Sequence, residues 1–381
     1  MPPSVPLGTV MREWARIGTL SFGGPPAQIA LLRELVVDRR RWIGAREFED
    51  ANAATQLLPG PGSTQLAIYC AQRVGGAPGA VLGGLAFVLP GLLMVLAIAA
   101  VALSESPPAW IRGIGAGAAA AVVAVVVQAG LALGRTSLQG RRGGLLARAA
   151  AYLVAGAAAT VAAGAGVVLV LLGCGLVELA WRRRPGLAVH AWPAGIALLG
   201  VTGSAALPAL VWTALKVGAL SYGGGFVIIP LMQGDAVDAY GWMTAAEFAN
   251  AVAYGQLTPG PVVHTVALVG WAAAGPGGAL LAAAVAFAPS FLVVTLTGDR
   301  FERLRGSAAA RAFLDGAGPA AVGAILGAAV PLLGALEEGW QYAVLAVAAA
   351  LLAFGRPALW ALGGGALAGL AAAVGGAALP G

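Results

Sequence analysis

Residues 56–65 read QLLPGPGSTQ, and residues 256–265 read QLTPGPVVHT. Both stretches interrupt long apolar sequence. Proline removes a backbone donor and clashes with the preceding turn, and glycine adds backbone freedom, so neither Pro-Gly-Pro can lie inside a continuous helix. The sequence therefore predicts two broken helices at an offset of 200 residues.

The composition excludes a water-soluble globular protein. Of 381 residues, 59% are hydrophobic and 10% are charged, and the mean hydropathy is +0.86, whereas soluble domains carry roughly 25% charged residues. Apolar runs such as 77–103, 114–133 and 149–172 are long enough for the ~20 residues that span hydrocarbon. They are rich in Ala, Leu, Val and Gly, and they predict an all-α polytopic membrane protein.

The net charge of +6 comes from arginines that cluster in short loops between the apolar runs. This placement is the usual signal that orients a membrane protein, and it argues against nucleic-acid binding.

The two broken stretches belong to an internal duplication. The sequence SFGG at 21–24 returns as SYGG at 221–224, at the same offset as the Pro-Gly-Pro stretches. A constant register over this length indicates that the two halves are duplicates. Farther along, the match continues with a shift of three residues, from 112–115 to 315–318.

Loop charges indicate that the two repeats have opposite orientations. Residues 33–50 contain five arginines, whereas residues 233–250 contain three acidic residues and no basic one. The next pair reverses this pattern, with one arginine in 104–112 and four in 299–311. Because short loops rich in Lys and Arg stay cytoplasmic, the sequence predicts an inverted-topology repeat, which is typical of secondary carriers.

The same sidedness predicts re-entrant hairpins. A cytoplasmic loop at 33–50 and an external loop at 104–112 need an odd number of crossings between them, yet two apolar stretches intervene. A helical hairpin that enters and leaves on one side at the Pro-Gly-Pro break restores the count. We expect about 13 apolar segments, four of them broken, although 149–179 can be divided in more than one way.

This interpretation divides the chain into three parts. They are an N-terminal transmembrane repeat at 11–181, a linker with a connecting helix at 182–207, and a C-terminal transmembrane repeat at 208–376.

Breaks at matching positions in two repeats predict a transport site, because irregular backbone at membrane depth is tolerated where protein buries it or where it lines a cavity. Packing kinks are the alternative, since Gly and Pro are common in membrane helices. Each Pro-Gly-Pro begins a half-helix whose free N–H groups and dipole favour an anion. Together with nearby hydroxyl and amide groups, this favours a tetrahedral oxyanion. The predicted binding residues are Ser21, Gly23, Gly24, Gln56, Pro59, Gly60, Pro61, Ser63 and Thr64 in the first repeat, and Ser221, Gly223, Gly224, Gln256, Pro259, Gly260, Pro261 and His264 in the second.

Four charged residues are further candidates. Arg16 and Lys216 each lie five residues before the serine of a break, and a charge in an apolar segment is costly and usually functional. Snorkelling to the membrane interface is an equally good interpretation of both. Glu47 and Glu247 are candidates for ion coupling, although an acid near a helix start also interacts favourably with the helix dipole.

The SFGG and SYGG breaks, each followed about 35 residues later by Gln-Leu-x-Pro-Gly-Pro, resemble the chromate ion transporter family, and in particular its long-chain, two-domain bacterial members. The family's motif residues match the glycines and prolines of the four breaks. The first break departs from the second in having Pro25-Pro26 where the second has Gly225-Phe226.

The resemblance implies a secondary transporter that exports chromate from the cytoplasm across the inner membrane and confers chromate resistance. Sulfate is a close analogue, so a sulfate or other oxyanion carrier and an anion channel remain alternatives. A membrane-embedded enzyme is less favoured, because the sequence shows no nucleophile–base or metal cluster at membrane depth. We therefore expect no catalytic residues, no metal and no cofactor. The expected partners are chromate or sulfate and the lipid bilayer, with a homodimer left open.

Overall fold

The computed structural model describes residues 5–55, 58, 60–182, 206–221, 225–297 and 308–380, and within these ranges it is helical with no strand. Five of the described helices are long and apolar enough to cross a membrane. These observations confirm an all-α polytopic membrane protein. Most of the predicted connecting helix at 182–207 lies outside the described residues, so the three-part division of the chain remains a prediction.

Each repeat supplies seven helices to the described structure. The first repeat contains α1 (Leu7–Leu20), α2 (Pro25–Arg33), α3 (Ala45–Thr55), α4 (Gly62–Ala102), α5 (Ala109–Leu138), α6 (Gly144–Ala163) and α7 (Val167–Arg182). The second contains α8 (Ala206–Leu220), α9 (Ile228–Gln233), α10 (Ala245–Leu257), α11 (Thr265–Thr297), α12 (Ala308–Gly334), α13 (Gly339–Ala353) and α14 (Ala358–Val374). A π-helical turn follows α2 at Glu34–Arg39 and α9 at Gly234–Ala239.

Helix α4 folds back on itself at Gly76, where φ is 65°. A Cβ placed on Gly83 would be 2.6 Å from the Cβ of Ala71, although 12 residues of straight helix would separate them by about 18 Å. The helix therefore consists of two antiparallel legs, α4a (62–75) and α4b (77–102). Helix α11 turns in the same way at Gly275, where Gly270 lies against Gly278.

The first Pro-Gly-Pro break is the tip of a re-entrant hairpin. Glu47 at the start of α3 forms an ion pair with Arg73 at the end of α4a, with 2.5 Å between Oε1 and Nε. The chain between them passes through the break at Gly60 and returns to the same level. This geometry confirms the hairpin that the loop charges predicted.

The segment from α1 to the π turn after α2 also returns toward its start. Trp14 stacks on Trp42 with ring centroids 6.5 Å apart. Arg39 and Arg40 donate hydrogen bonds of 2.9 and 2.8 Å to the carboxylate of Glu13 in α1. In the second repeat, Lys216 of α8 is likewise paired with Asp235 in the π turn after α9.

The equivalent helices α5 and α12 show that the repeats are inverted. Gly130 of α5 packs on Leu326 of α12, and Gly134 packs on Val322. Residue numbers rise along one helix as they fall along the other, so two duplicated helices run antiparallel to each other. This arrangement confirms the inverted-topology repeat.

Small residues bring helices of different repeats into close contact. Gly113 and Gly117 of α5 face Gly369 and Gly365 of α14, so that a Cβ on Gly369 would be 1.9 Å from the Gly113 carbonyl oxygen. Glycines four residues apart are a common means of close helix packing in membranes.

We expect Gly369→Leu to destabilise the protein by at least the ~1–3 kcal/mol typical of overpacking, because the obstacle is backbone that cannot move aside. The measurement is thermal unfolding of the protein in detergent. Gly364→Leu is the matched control, since a Cβ at Gly364 meets no atom within 4 Å. Equal melting temperatures for the two variants would contradict the packing described here.

Candidate anion site at the paired helix breaks

A small cavity lies where the breaks of the two repeats meet. Its lining is Pro25, Pro61, Gly62 and Ser63 from the first repeat and Gly225, Pro261, Val262 and Val263 from the second. Each lining residue of the first repeat has its counterpart exactly 200 positions later. The cavity therefore lies on the pseudo-two-fold axis that relates the repeats.

The cavity measures about 20 Å³, which is enough for about one water molecule. A tetrahedral oxyanion with four oxygens needs more room. The structure therefore holds the breaks in a closed arrangement, and an anion can enter only if the hairpins move apart.

Helix starts surround the cavity. Helix α2 begins at Pro25, α4a begins directly after Pro61, and the turn that leads into α11 begins directly after Pro261. Backbone N–H groups in the first turn of a helix have no intrahelical acceptor, and they carry the positive end of the helix dipole. The cavity is therefore positively polarised without any lysine or arginine in its lining.

Five described glycines at the breaks have positive φ angles, which side chains strongly disfavour. The angles are 96° at Gly23, 76° at Gly24, 116° at Gly60, 83° at Gly225 and 94° at Gly260. A Cβ on Gly60 would also be 2.6 Å from the Gln65 Nε2 atom, so the Gln65 side chain would have to move to make room for it. The conformation at Gly60 favours glycine, and the crowding adds to this preference.

The two breaks pack on each other's repeats. A Cβ on Gly60 would be 3.2 Å from the carbonyl oxygen of Gly218 in α8, and a Cβ on Gly260 would be 3.6 Å from that of Gly18 in α1. The backbone N–H of Gly260 donates a hydrogen bond of 3.2 Å to the carbonyl of Ser21. Each half of the site is therefore completed by the other repeat.

Several buried polar side chains near the breaks have atoms with no hydrogen-bond partner among the described residues. These atoms include the hydroxyls of Ser21, Thr64, Ser221 and Ser290 and the Gln256 amide nitrogen. A buried polar group without a partner costs about 1–3 kcal/mol. Such a concentration near the paired breaks indicates a site that exchanges hydrogen bonds with a solute or with water.

Sequence reasoning missed Ser290 and Gln28. Both are fully buried, and the Ser290 hydroxyl lies beside Gly60, 3.1 Å from where a Cβ would stand. Ser290 follows Pro289 inside α11, and its counterpart in the first repeat is Pro90. A serine next to a proline in an apolar helix is the signal that could have identified it.

His264 is fully buried and fills space that two glycines provide. A Cβ on Gly91 of α4b would be 2.7 Å from its Cε1 atom, and one on Gly260 would be 3.0 Å from the same atom. The ring lies 5.2 Å from that of Phe287. The Val88 carbonyl is near the ring, but neither ring nitrogen forms a hydrogen bond of normal geometry with a described residue.

Arg16 and Lys216 do not line the cavity. The Arg16 side chain is 47% exposed and lies 3.6 Å from Glu13. The Lys216 ammonium is buried against Asp235 at 2.5 Å and lies 5.6 Å from the centroid of the Trp212 ring. Their role in binding an anion therefore stays a prediction.

Glu47 and Glu247 also have local partners. Glu47 pairs with Arg73 and accepts a hydrogen bond from the Tyr69 hydroxyl. Glu247 forms a capping box with Thr244 at the start of α10, which is an ordinary way to satisfy the first N–H groups of a helix. A coupling role for either carboxylate stays a prediction.

Four predicted site residues lie outside the described part of the chain. They are Gln56, Pro59, Gly223 and Gly224. Of the others, Pro61, Ser63 and Pro261 line the cavity, and Gly24, Gly60 and Gly260 shape the breaks around it.

Two inverted repeats whose re-entrant hairpins meet at a positively polarised centre define a membrane transport protein of the broken-helix class. The model of the chromate transporter family matches residues 8–179 and 208–370, and the chain belongs to that family.

Curated relatives cover most of the chain. A chromate transport protein of Cupriavidus metallidurans is 33% identical over 87% of this chain and 83% of its own length. One of Pseudomonas aeruginosa is 32% identical over 85% of this chain and 80% of its own length. A probable chromate transport protein of Synechococcus elongatus is 30% identical over 87% of this chain and 85% of its own length. No solved structure matches the chain.

We expect Lys216→Met to destabilise the protein by about 3–5 kcal/mol, because it leaves the buried carboxylate of Asp235 without its cation. The double variant Lys216→Met/Asp235→Asn removes both charges and keeps a partner for Thr213, which is hydrogen-bonded to Asp235. We expect it to regain most of the lost stability. Thermal unfolding of both variants tests this, and additive losses in the double variant would contradict the pairing.

Proposed function

We propose that this protein is a secondary transporter that exports chromate from the cytoplasm across the inner membrane. The observation that carries the proposal is the pseudo-symmetric cavity at which the helix starts of both repeats converge. Membership of the chromate transporter family and relatives named chromate transport proteins support chromate as the substrate.

The chemistry of the cavity suits a tetrahedral dianion. Backbone N–H groups at helix starts bind anions by hydrogen bonding and by the helix dipole, and serine and threonine hydroxyls add further donors. Sulfate has the same shape and charge as chromate, so we expect the two ions to compete. We assign contact with the anion to the residues of the breaks, and the roles of Arg16 and Lys216 remain predictions.

The closed cavity supports an alternating mechanism. The contacts that seal it, Gly60 against Gly218 and Gly260 against Gly18, each join one repeat to the other. Rocking of one hairpin pair against its partner would break one seal while the other stays closed. In an inverted repeat this motion exposes the same site first to one face of the membrane and then to the other.

Loop charge favours capture of a dianion on the cytoplasmic side. The loop at 33–50 carries five arginines and five acidic residues and is neutral overall, whereas its counterpart at 233–250 carries three acidic residues and no basic one. A negative loop lowers the local concentration of a dianion, and a neutral loop does not. The driving force sets the direction of net transport, and export that keeps the cytoplasmic concentration low would give chromate resistance.

Flux measurements in proteoliposomes test the proposal. We expect saturable uptake of labelled chromate that sulfate inhibits, and counterflow when unlabelled chromate is loaded inside. Imposed pH and voltage gradients separately identify the driving force. An anion channel would instead give single-channel conductance without counterflow, and absence of any chromate flux in protein of normal stability would overturn the proposal.

We expect Gly60→Ala and Gly260→Ala to reduce chromate flux at least tenfold, because a side chain at either position both strains the backbone and fills the closed site. Gly241→Ala is the matched control, since Gly241 also has a positive φ, 60°, but has open space around it. We expect Gly241→Ala to be destabilised by a similar amount of backbone strain and to keep its chromate flux. Equal losses of flux in all three variants would indicate a general stability effect.

A further inference from the structure

A second and larger opening lies on the external side of the protein. It is a crevice of about 540 Å³ between the end of α6, the end of α12 and the π turn after α9, and Thr160, Gln233, Asp238 and Pro331 are among its lining residues. Helix α6 begins directly after Arg141 and Arg142, and because short loops rich in Lys and Arg stay cytoplasmic, it runs from the cytoplasmic side outward. The crevice therefore opens at the opposite face, and it shares no lining residue with the cavity at the breaks.

In the first repeat, an arginine side chain occupies the position equivalent to this crevice. Arg33 lies 3.3 Å from the carboxylate of Asp38 and 3.1 Å from that of Glu49. At an offset of 200 the second repeat keeps the first acid as Asp238 but has Gln233 in place of the arginine. Among the described residues, Asp238 has no ion-pair partner.

The crevice is bordered by the exposed carboxylate of Asp238 and by two buried side chains that carry oxygen acceptors, Thr160 and Gln233. Gln233 is 6% exposed, and its Oε1 atom is buried without a donor among the described residues. The Asp238 carboxylate lies close to the end of α6, and a Cβ placed on Gly164 would be 3.0 Å from its Oδ2 atom. The carboxyl ends of α6 and α12, which are the negative ends of their dipoles, border the same space.

We propose that this crevice binds a monovalent metal cation, Na⁺ or K⁺, where the Arg33 guanidinium lies in the other repeat. Its ligands would be the Asp238 carboxylate, the Gln233 amide oxygen and the Thr160 hydroxyl, which donates its proton to the Gly156 carbonyl and keeps its lone pairs for a cation. Oxygen ligands suit hard cations. A single carboxylate gives the site a charge of −1, which a monovalent ion neutralises.

The test uses the purified full-length protein in lipid nanodiscs, without chromate. Thermal unfolding is measured in increasing NaCl, KCl or choline chloride at constant total ionic strength. We expect Na⁺ or K⁺ to raise the melting temperature in a saturable way relative to choline. The shift should disappear in Asp238→Asn and persist in Asp38→Asn, which changes the equivalent carboxylate that Arg33 already neutralises.

The variant Gln233→Arg provides a second test. It places a guanidinium group beside Asp238, as Arg33 does beside Asp38 in the first repeat. We expect this variant to melt at one temperature in all three salts. Binding of radioactive ²²Na⁺ to the wild type, displaced by excess Na⁺ and absent in Asp238→Asn, measures occupancy directly.

Three results would overturn the proposal. They are equal melting temperatures and no ²²Na⁺ binding in the wild type, a saturable shift that persists in Asp238→Asn, and a shift given by Mg²⁺ or Ca²⁺ alone. Because no arm measures chromate movement, a negative result here leaves the proposed transport function standing, and a failed flux assay leaves this site standing.

Discussion

Backbone groups that leave a helix inside a membrane must find partners in the protein, because hydrocarbon offers none. The breaks at Gly60 and Gly260 place such groups at the centre of the molecule, and the rest of the fold is arranged around them. Each break packs on the first helix of the other repeat, and the Gly260 N–H reaches the Ser21 carbonyl across that boundary. The inverted duplication, the hairpins and the close glycine contacts all serve this mutual burial.

The repeats share a backbone plan but differ in how their hairpins are held together. In the first, a buried acid on α1, Glu13, binds two arginines of the returning segment. In the second, a buried base on α8, Lys216, binds an acid of the returning segment, Asp235. The two pairs join equivalent parts of the repeats, but their polarity is reversed and they use residues at different positions. The arginines of the first repeat lie on the cytoplasmic side, which agrees with the usual distribution of basic residues in membrane proteins.

Much of the fold could be predicted from sequence because it depends on local breaks and on charge counts. Pro-Gly-Pro excludes a continuous helix, and the distribution of arginines indicates which loops are cytoplasmic. The hairpin at Gly60 and the inversion of the repeats could therefore be predicted from the sequence. The partners of Arg16 and Lys216 could not be predicted in this way. Glu13 and Asp235 become their neighbours only after the hairpins close, and an unpaired charge in a sequence does not reveal its later partner.

The site was harder to predict than the fold for a related reason. The glycines and prolines of the breaks repeat in both halves and were visible as a pattern. Ser290 has no such signal, since its counterpart is Pro90 and it reaches the first break only through contact between the repeats. Aligning one repeat with the other reveals only the residues that both repeats share. It does not reveal a residue that one repeat alone contributes to the other repeat's half of the site.

The reciprocal packing of the breaks has a consequence for biogenesis. The surfaces that cover Gly60 belong to α8 and α11, which lie between residues 206 and 297. At the ribosome's pace of about 5–20 residues per second, some 200 further residues take roughly 10–40 s to make. For that interval the first hairpin has left the ribosome without its cover. The insertion machinery must keep its polar tip in a wet or protein-lined environment until the second repeat arrives.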